Sequence, residues 1–249
     1  MTLPIALQLY TVRDETEKDF IGTLEKVAAM GYNGVEFAGF GDIPAKQMKA
    51  ALDRLGLKAV GSHTGIDLLK DKLDEVIEYN LEIGNKYVIC PWAPYKTKED
   101  YVEAARLFNE IGPKCKARGI QLAYHNHDFE FTAFDGVYGL DILYSGTSSE
   151  NLVVELDTCW VFFAGVNPAE YIGKYKGRIP LVHLKDIKSK DTRGDFIELG
   201  DGIIDIEAIA MAAQAAGSEW LVVEMDRCPR PTLESARICI DNLKKMKVI

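Results

Sequence analysis

Residues 5–15 read IALQLYTVRDE. An aliphatic run of strand length, Ile5–Leu9, passes directly into polar residues, and the turn behind it holds no G-x-G-x-x-G. An open doubly wound sheet ordinarily carries that phosphate-cradling fingerprint after its first strand, so this beginning points away from one. Seven further runs repeat the pattern: Gly34–Phe37, Ala59–His63, Tyr87–Cys90, Gln121–His125, Leu152–Leu156, Leu181–Leu184 and Leu221–Glu224. Segments with apolar residues at helical spacing follow each one, as in Asp19–Met30 (Phe20, Leu24, Val27, Ala28) and Glu207–Ala216 (Ile209, Ala210, Ala213). Gly31, Gly56, Gly84, Gly119, Gly177 and Gly217 each stand between a helical run and the next strand, the place of a left-handed helix cap. The fifth unit is the weakest, with Gly139–Tyr144 its short helical candidate. Eight βα periods predict an α/β fold, a closed (β/α)8 barrel in one domain over residues 1–249, with its chemistry at the C-terminal ends of the strands.

The length of 249 residues suits one such barrel, and 47% hydrophobic with 27% charged residues excludes a disordered chain. Twenty-nine basic against 38 acidic residues give a net charge of −9, which disfavours a nucleic-acid partner. The N-terminus lacks the basic and long apolar regions of a signal peptide, and no 18-residue uncharged stretch follows, so the expectation is a cytoplasmic protein without a membrane partner. Five scattered cysteines without a C-x-x-C pair read as structural thiols.

The strand ends are polar and rich in metal-ligand types: Gln8 and Tyr10, Glu36, His63, Trp92, His125 with His127 and Glu130, Glu155 with Asp157, His183 with Lys185 and Asp186, and Glu224 with Asp226. All four histidines of the chain are among them. Strand alternation puts Glu155 with Asp157, His125 with His127, and His183 with Lys185 on shared faces. Carboxylates converging in a pocket repel one another and take up protons unless a cation lies between them. Carboxylate with imidazole suits Mn2+, Zn2+, Co2+ or Fe2+. Tyr10, Phe37, Trp92, Phe129 and Trp160 would form an aromatic rim suited to a sugar face, with Gln8 and His63 as polar substrate contacts. No phosphate clamp is evident; Arg13, Arg193 and Arg227 are the nearby candidates.

The runs LQLYTVRD (7–14), YHNHDFEF (124–131), ELDTCW (155–160), RIPLVHLKD (178–186), ELGDGIID (198–205) and VVEMD (222–226) resemble the sugar phosphate isomerase/epimerase group of xylose isomerase-like TIM barrels, from residue 5 to about 245. That group is similar to inosose dehydratases, ketose 3-epimerases and AP endonucleases of the same fold. The resemblance implies one divalent ion, Mn2+ first with Zn2+, Co2+, Fe2+ or Mg2+ as alternatives. It implies as ligands Asp157, His183 and Glu224, with Glu130 as the fourth and His125 in reserve. Two departures tell against three-metal DNA cleavage: Trp160 stands where the endonucleases and epimerases have a His, and Asp195–Glu198 stands where the endonucleases carry further His ligands.

The expected activity is α-proton abstraction from a keto-sugar or keto-inositol through an enediolate, followed by loss of a β-substituent. The same intermediate serves an isomerase or epimerase, and a non-catalytic or DNA-directed barrel is the third reading. His127 is the candidate base and Lys185 the proton shuttle or anion partner, with His125 and Glu155 as further catalytic candidates. The partner is an unphosphorylated small molecule, and apolar loop residues leave room for a homo-oligomer.

Overall fold

The computed structural model describes residues 2–248. Eight parallel strands close into a barrel: β1 Ile5–Gln8, β2 Gly34–Phe37, β3 Lys58–His63, β4 Tyr87–Cys90, β5 Gln121–His125, β6 Val153–Asp157, β7 Leu181–Leu184 and β8 Trp220–Val223. Closure is made by β1 against β8, with Ile5 beside Leu221 and Leu7 beside Val223. Four strands have the bounds expected from sequence and the other four lie within a residue of them. The helices pack outside; Phe20–Met30 buries Leu24, Val27 and Met30 and is capped by Asp19, whose carboxylate accepts the Gly22 N–H at 2.9 Å. All six anticipated cap glycines have positive φ, Gly31 at 98°. In the weak fifth unit, the short hairpin Ala133–Phe134 and Val137–Tyr138 precedes helix Gly139–Ser145.

The barrel interior is layered by the period of two. Ala6, Val60, Ile89, Ala123, Leu181 and Val222 form an apolar layer. Two residues further along, the same faces deliver Gln8, His125, His183 and Glu224. Strand β3 keeps step by an irregularity: its pairing with β2 skips a residue at Val35/Glu36, so Val60 and His63, three apart, both face inward. This skip sets Gly61 opposite Glu36, where a Cβ would lie 2.7 Å from Glu36 Oε2 and 2.6 Å from Ile89 Cδ1. Only glycine leaves that carboxylate its place.

The run ELGDGIID is scaffolding beside the site. Asp186 accepts backbone N–H groups from Ile187, Gly200, Gly202 and Ile204 at 2.9–3.1 Å, folding residues 198–204 around one carboxylate. Cys90, Cys115, Cys159 and Cys239 are buried. Among the described residues no helix is long and apolar enough to cross a membrane.

Candidate active site

Glu36 and Glu155, both fully buried, face each other across the interior above the apolar layer. Glu36 Oε1 accepts Gln8 Nε2 at 2.7 Å and lies 2.8 Å from His183 Nε2 and 3.1 Å from His63 Nε2. Glu155 Oε2 is 2.8 Å from His63 Nε2 and 2.9 Å from His125 Nδ1. One step outward, Glu224 Oε2 meets His183 Nδ1 at 2.9 Å and Lys185 Nζ at 2.8 Å, and that ammonium lies 2.9 Å from Asp157 Oδ2 and 3.0 Å from Asp226 Oδ2. Asp157 ends β6 as the cap of helix Thr158–Phe163, its Oδ1 accepting the N–H groups of Cys159 and Trp160, which leaves Oδ2 facing the cluster.

Two overlapping donor sets result. His125, Asp157, His183 and Glu224 each offer one atom, all within 4.8 Å of one another, and so do His63, His125, Glu155 and His183. Glu36 Oε2, Glu155 Oε1, His127 Nδ1 and Trp160 Nε1 are buried without a hydrogen-bond partner, and Asp157 Oδ2 has the Lys185 ion pair but no hydrogen bond. Unsatisfied carboxylate oxygens beside imidazoles, at one end of a barrel, fit a divalent cation of the Mn2+, Fe2+, Co2+ or Zn2+ type.

The family model for xylose isomerase-like TIM barrels matches residues 24–246. The chain belongs to this family. An inosose dehydratase of Clostridium beijerinckii is 24% identical over 252 residues, spanning 86% of this chain and 84% of that protein. One from Clostridium botulinum is 34% identical over 149 residues, 53% of this chain and 49% of its own. A sugar phosphate isomerase/epimerase of Parabacteroides distasonis has a similar structure, TM-score 0.87 with 25% identity over 99% of both chains. The IOLI protein, solved with a bound zinc atom, has TM-score 0.76 at 18% identity, covering 100% of this chain and 97% of its own.

In this xylose isomerase-like barrel, Glu130 lies outside both donor sets, contrary to its expected place as fourth ligand. The turn Phe129–Phe131 swings it back under its own loop, where Oε1 accepts the Tyr124 hydroxyl and Oε2 the His127 N–H, each at 2.8 Å. His125, the reserve, is the strand-five residue in the cluster. Gln8 is no substrate contact either: it is fully buried, giving Nε2 to Glu36 and accepting the Tyr10 N–H on Oε1. Trp160 is buried as well, packed against Phe163 and Phe196 and covered by the Arg193 guanidinium at 4.4 Å. Phe37 belongs to the core, stacked on Phe20. Tyr10 and Trp92 do stand at the rim, 41% and 51% exposed. Glu36 was visible in the sequence as a strand-end acid, yet nothing there singled it out; an acidic residue within a four-residue strand buried throughout is the signal that finds it.

Above the cluster opens a cavity of about 400 Å3 whose lining includes His63, His125, His127, Lys185, Glu224 and Asp226. No arginine lines it. Arg13 is spent on the carbonyls of Tyr10 and Asp226 and Arg193 on a bidentate pair with Asp128, while Arg227 is exposed.

The proton affinities of the lining groups diverge. Burial lowers His127 to about 4, helped by Lys185, and burial with the neighbouring imidazoles and Lys185 holds His125 well below its ordinary value. For His63, burial works downward but Glu36 and Glu155 outweigh it and raise the ring to about 10. Lys185 also stays above its usual value: burial opposes its charge, and Asp157, Asp226 and Glu224 overcome that. Neutral His127 and His125 thus share a cavity with charged His63 and Lys185 at neutral pH.

Proposed function

We propose that this chain is a metal-dependent enzyme that removes the α-proton of a keto-sugar or keto-inositol and then expels a β-hydroxyl or β-alkoxy group, as a dehydratase or lyase. The observation that carries the reading is geometric: the donor set His125, Asp157, His183 and Glu224 opens into one cavity that His127 and Lys185 also line.

His125, Asp157, His183 and Glu224 would hold the ion. The zinc of the IOLI protein supports a metal in this fold, while Mn2+ is our first expectation for this chain. A divalent ion there supplies Lewis acidity toward a substrate carbonyl and the charge that the surrounding carboxylates lack. His127, which lines the cavity, accepts the α-proton. Lys185 offsets the negative charge that grows on the substrate oxygen as the proton leaves. His63 also lines the cavity and is our candidate to protonate the departing oxygen. The cavity has no arginine to grip a phosphate, which favours an unphosphorylated substrate.

The inosose dehydratase relatives favour elimination. A specific observation favours a second reading, isomerase or epimerase: the Parabacteroides distasonis structure carries that description and has the higher similarity of the two structures compared. The acidic balance and the lack of any arginine in the cavity lining tell against DNA as substrate.

The test is metal-loaded protein with inosose, keto-sugars and 3-keto-glycosides in D2O, following deuterium at the α-carbon, new ketose and released leaving group. Deuterium with a released group is the expected result. Exchange slows about 10²–10⁴-fold in His127→Ala, the range of a general base. Unchanged exchange in that variant removes His127 from its role, and new ketose without release transfers the conclusion to isomerisation.

A further inference from the structure

Trp92 lines two cavities. On one side is the 400 Å3 space over the charged cluster, and on the other a larger one of about 630 Å3 whose walls include Ile66, Asp67, Lys70, Tyr95 and Glu103. The indole is half exposed in the segment CPWAPY, 90–95, where Pro91 and Pro94 restrict the backbone on either side of it. Tyr95 is fixed from behind by ring contacts with Tyr101 and Tyr124 at 5.3 and 6.1 Å. Other large apolar side chains are also exposed, but Trp92 alone is shared by these two cavities, and its open face on a stiffened segment is available as a wall for ligand.

The inner cavity holds the reacting ring. The outer one is bigger, shares Trp92 with it, and mixes apolar wall with charged groups: Asp67 and Lys70 are exposed and carry no ion pair among the described residues, so a carboxylate and an ammonium remain for hydroxyl groups. Apolar C–H faces for the indole and dense hydroxyls for the charges are together the chemistry of a sugar ring.

We propose that the outer cavity is a second sugar subsite, and that the substrate is a keto-glycoside of at least two rings, with the reacting ring over the metal donors and the second across Trp92. This rests on the sugar-directed reading above and specifies its substrate class. The second ring would then be the β-alkoxy group that elimination releases: the Cα–H bond gives its proton to the base, its electron pair forms the new double bond, and the Cβ–O bond breaks with the proton from His63 passing to the departing oxygen.

The experiment is calorimetric titration of metal-loaded full-length chain with glucose, myo-inositol, cellobiose, maltose and trehalose, beside turnover of inosose and of 3-keto-disaccharides on the same preparation. One disaccharide binds at least about tenfold more tightly than glucose, equivalent to roughly 1.4 kcal/mol. The gain disappears in Trp92→Ala. It disappears also in the Asp67→Ala/Lys70→Ala double variant, which alters exposed residues and keeps its glucose affinity. If no disaccharide exceeds glucose, or the gain survives both variants, the second subsite is refuted. Inosose turnover without any disaccharide gain refutes the subsite and leaves the reaction standing; a variant-sensitive gain without turnover of any keto compound supports the subsite and refutes the reaction.

Discussion

Replacing Glu36 by glutamine keeps the shape and deletes one buried charge. In the native chain Glu36 Oε1 serves Gln8, His183 and His63 at 2.7–3.1 Å, and the carboxyl is held well below its usual range because His183 and His63 outweigh its burial. Removing one partner of a buried ion pair costs about 3–5 kcal/mol, since the other charge is left without compensation. Glu36 also raises its neighbour Glu155, after burial the largest upward influence on it, so its loss relieves some repulsion and places the expectation near the lower bound, about 3 kcal/mol. With a urea slope near 3 kcal/mol per M, the midpoint falls by about 1 M. The measurement is urea unfolding of chelator-treated protein from pH 6 to 10, so that the side chains supply the cations of the cluster. The pH course has a definite sign. His63 is raised from 6.5 to about 10 in the fold, so its contribution is complete below 6.5 and is lost as pH rises through about 10. Glu36 is depressed, so its own contribution is present above its unfolded value near 4.5 and persists over this range. Glu36→Gln therefore flattens the decline between pH 6.5 and 10. An unchanged midpoint with an unchanged slope would refute the ion-pair reasoning.

Two other substitutions separate scaffold from site. Glu130→Ala removes the acceptors for the His127 N–H and the Tyr124 hydroxyl and costs about 1–3 kcal/mol in urea, yet leaves metal content unchanged because Glu130 is outside the donor sets; loss of metal would return it to the ligands. Burial raises Glu130 to about 7, so native stability from this group is complete below 4.5 and declines as pH rises through 7, a slope that the variant lacks. Asp186→Ala strands the N–H groups of residues 187, 200, 202 and 204, at about 1–3 kcal/mol for each that stays buried, and opens the 198–204 loop to limited proteolysis; native protection of that loop would contradict its anchoring by one carboxylate.

The barrel was legible because its signals are local and repeated: Gly34–Phe37 or Leu181–Leu184 is a short aliphatic run, and the glycine before the next strand marks where the helix stops. Side-chain parity paired Glu155 with Asp157 and His183 with Lys185, and both pairs reach the cluster. Parity fails where the backbone departs from regularity. His63 faces inward only through the skip at Val35/Glu36, which no spacing announces. Glu130 was misplaced because chain distance from His127 says nothing of how a loop turns, although an acid three residues after a free N–H is a known local closure. Gln8 and Trp160 were read as contacts for substrate because they fall at strand ends; their burial depends on what packs over them, Glu36 in one case and Arg193 in the other.

The central claim is that the carboxylate–imidazole cluster holds a divalent ion on which the chemistry depends. Its most direct test is elemental analysis of the chain after stripping and reloading with Mn2+, Zn2+, Co2+, Fe2+ or Mg2+, beside Asp157→Ala and Glu224→Ala variants shown to be folded by circular dichroism. About one ion per native chain and none in either variant is expected, because each lost carboxylate removes both a ligand and counter-charge. A native chain that takes up no ion from any of the five, or variants that retain it in full, would contradict the account.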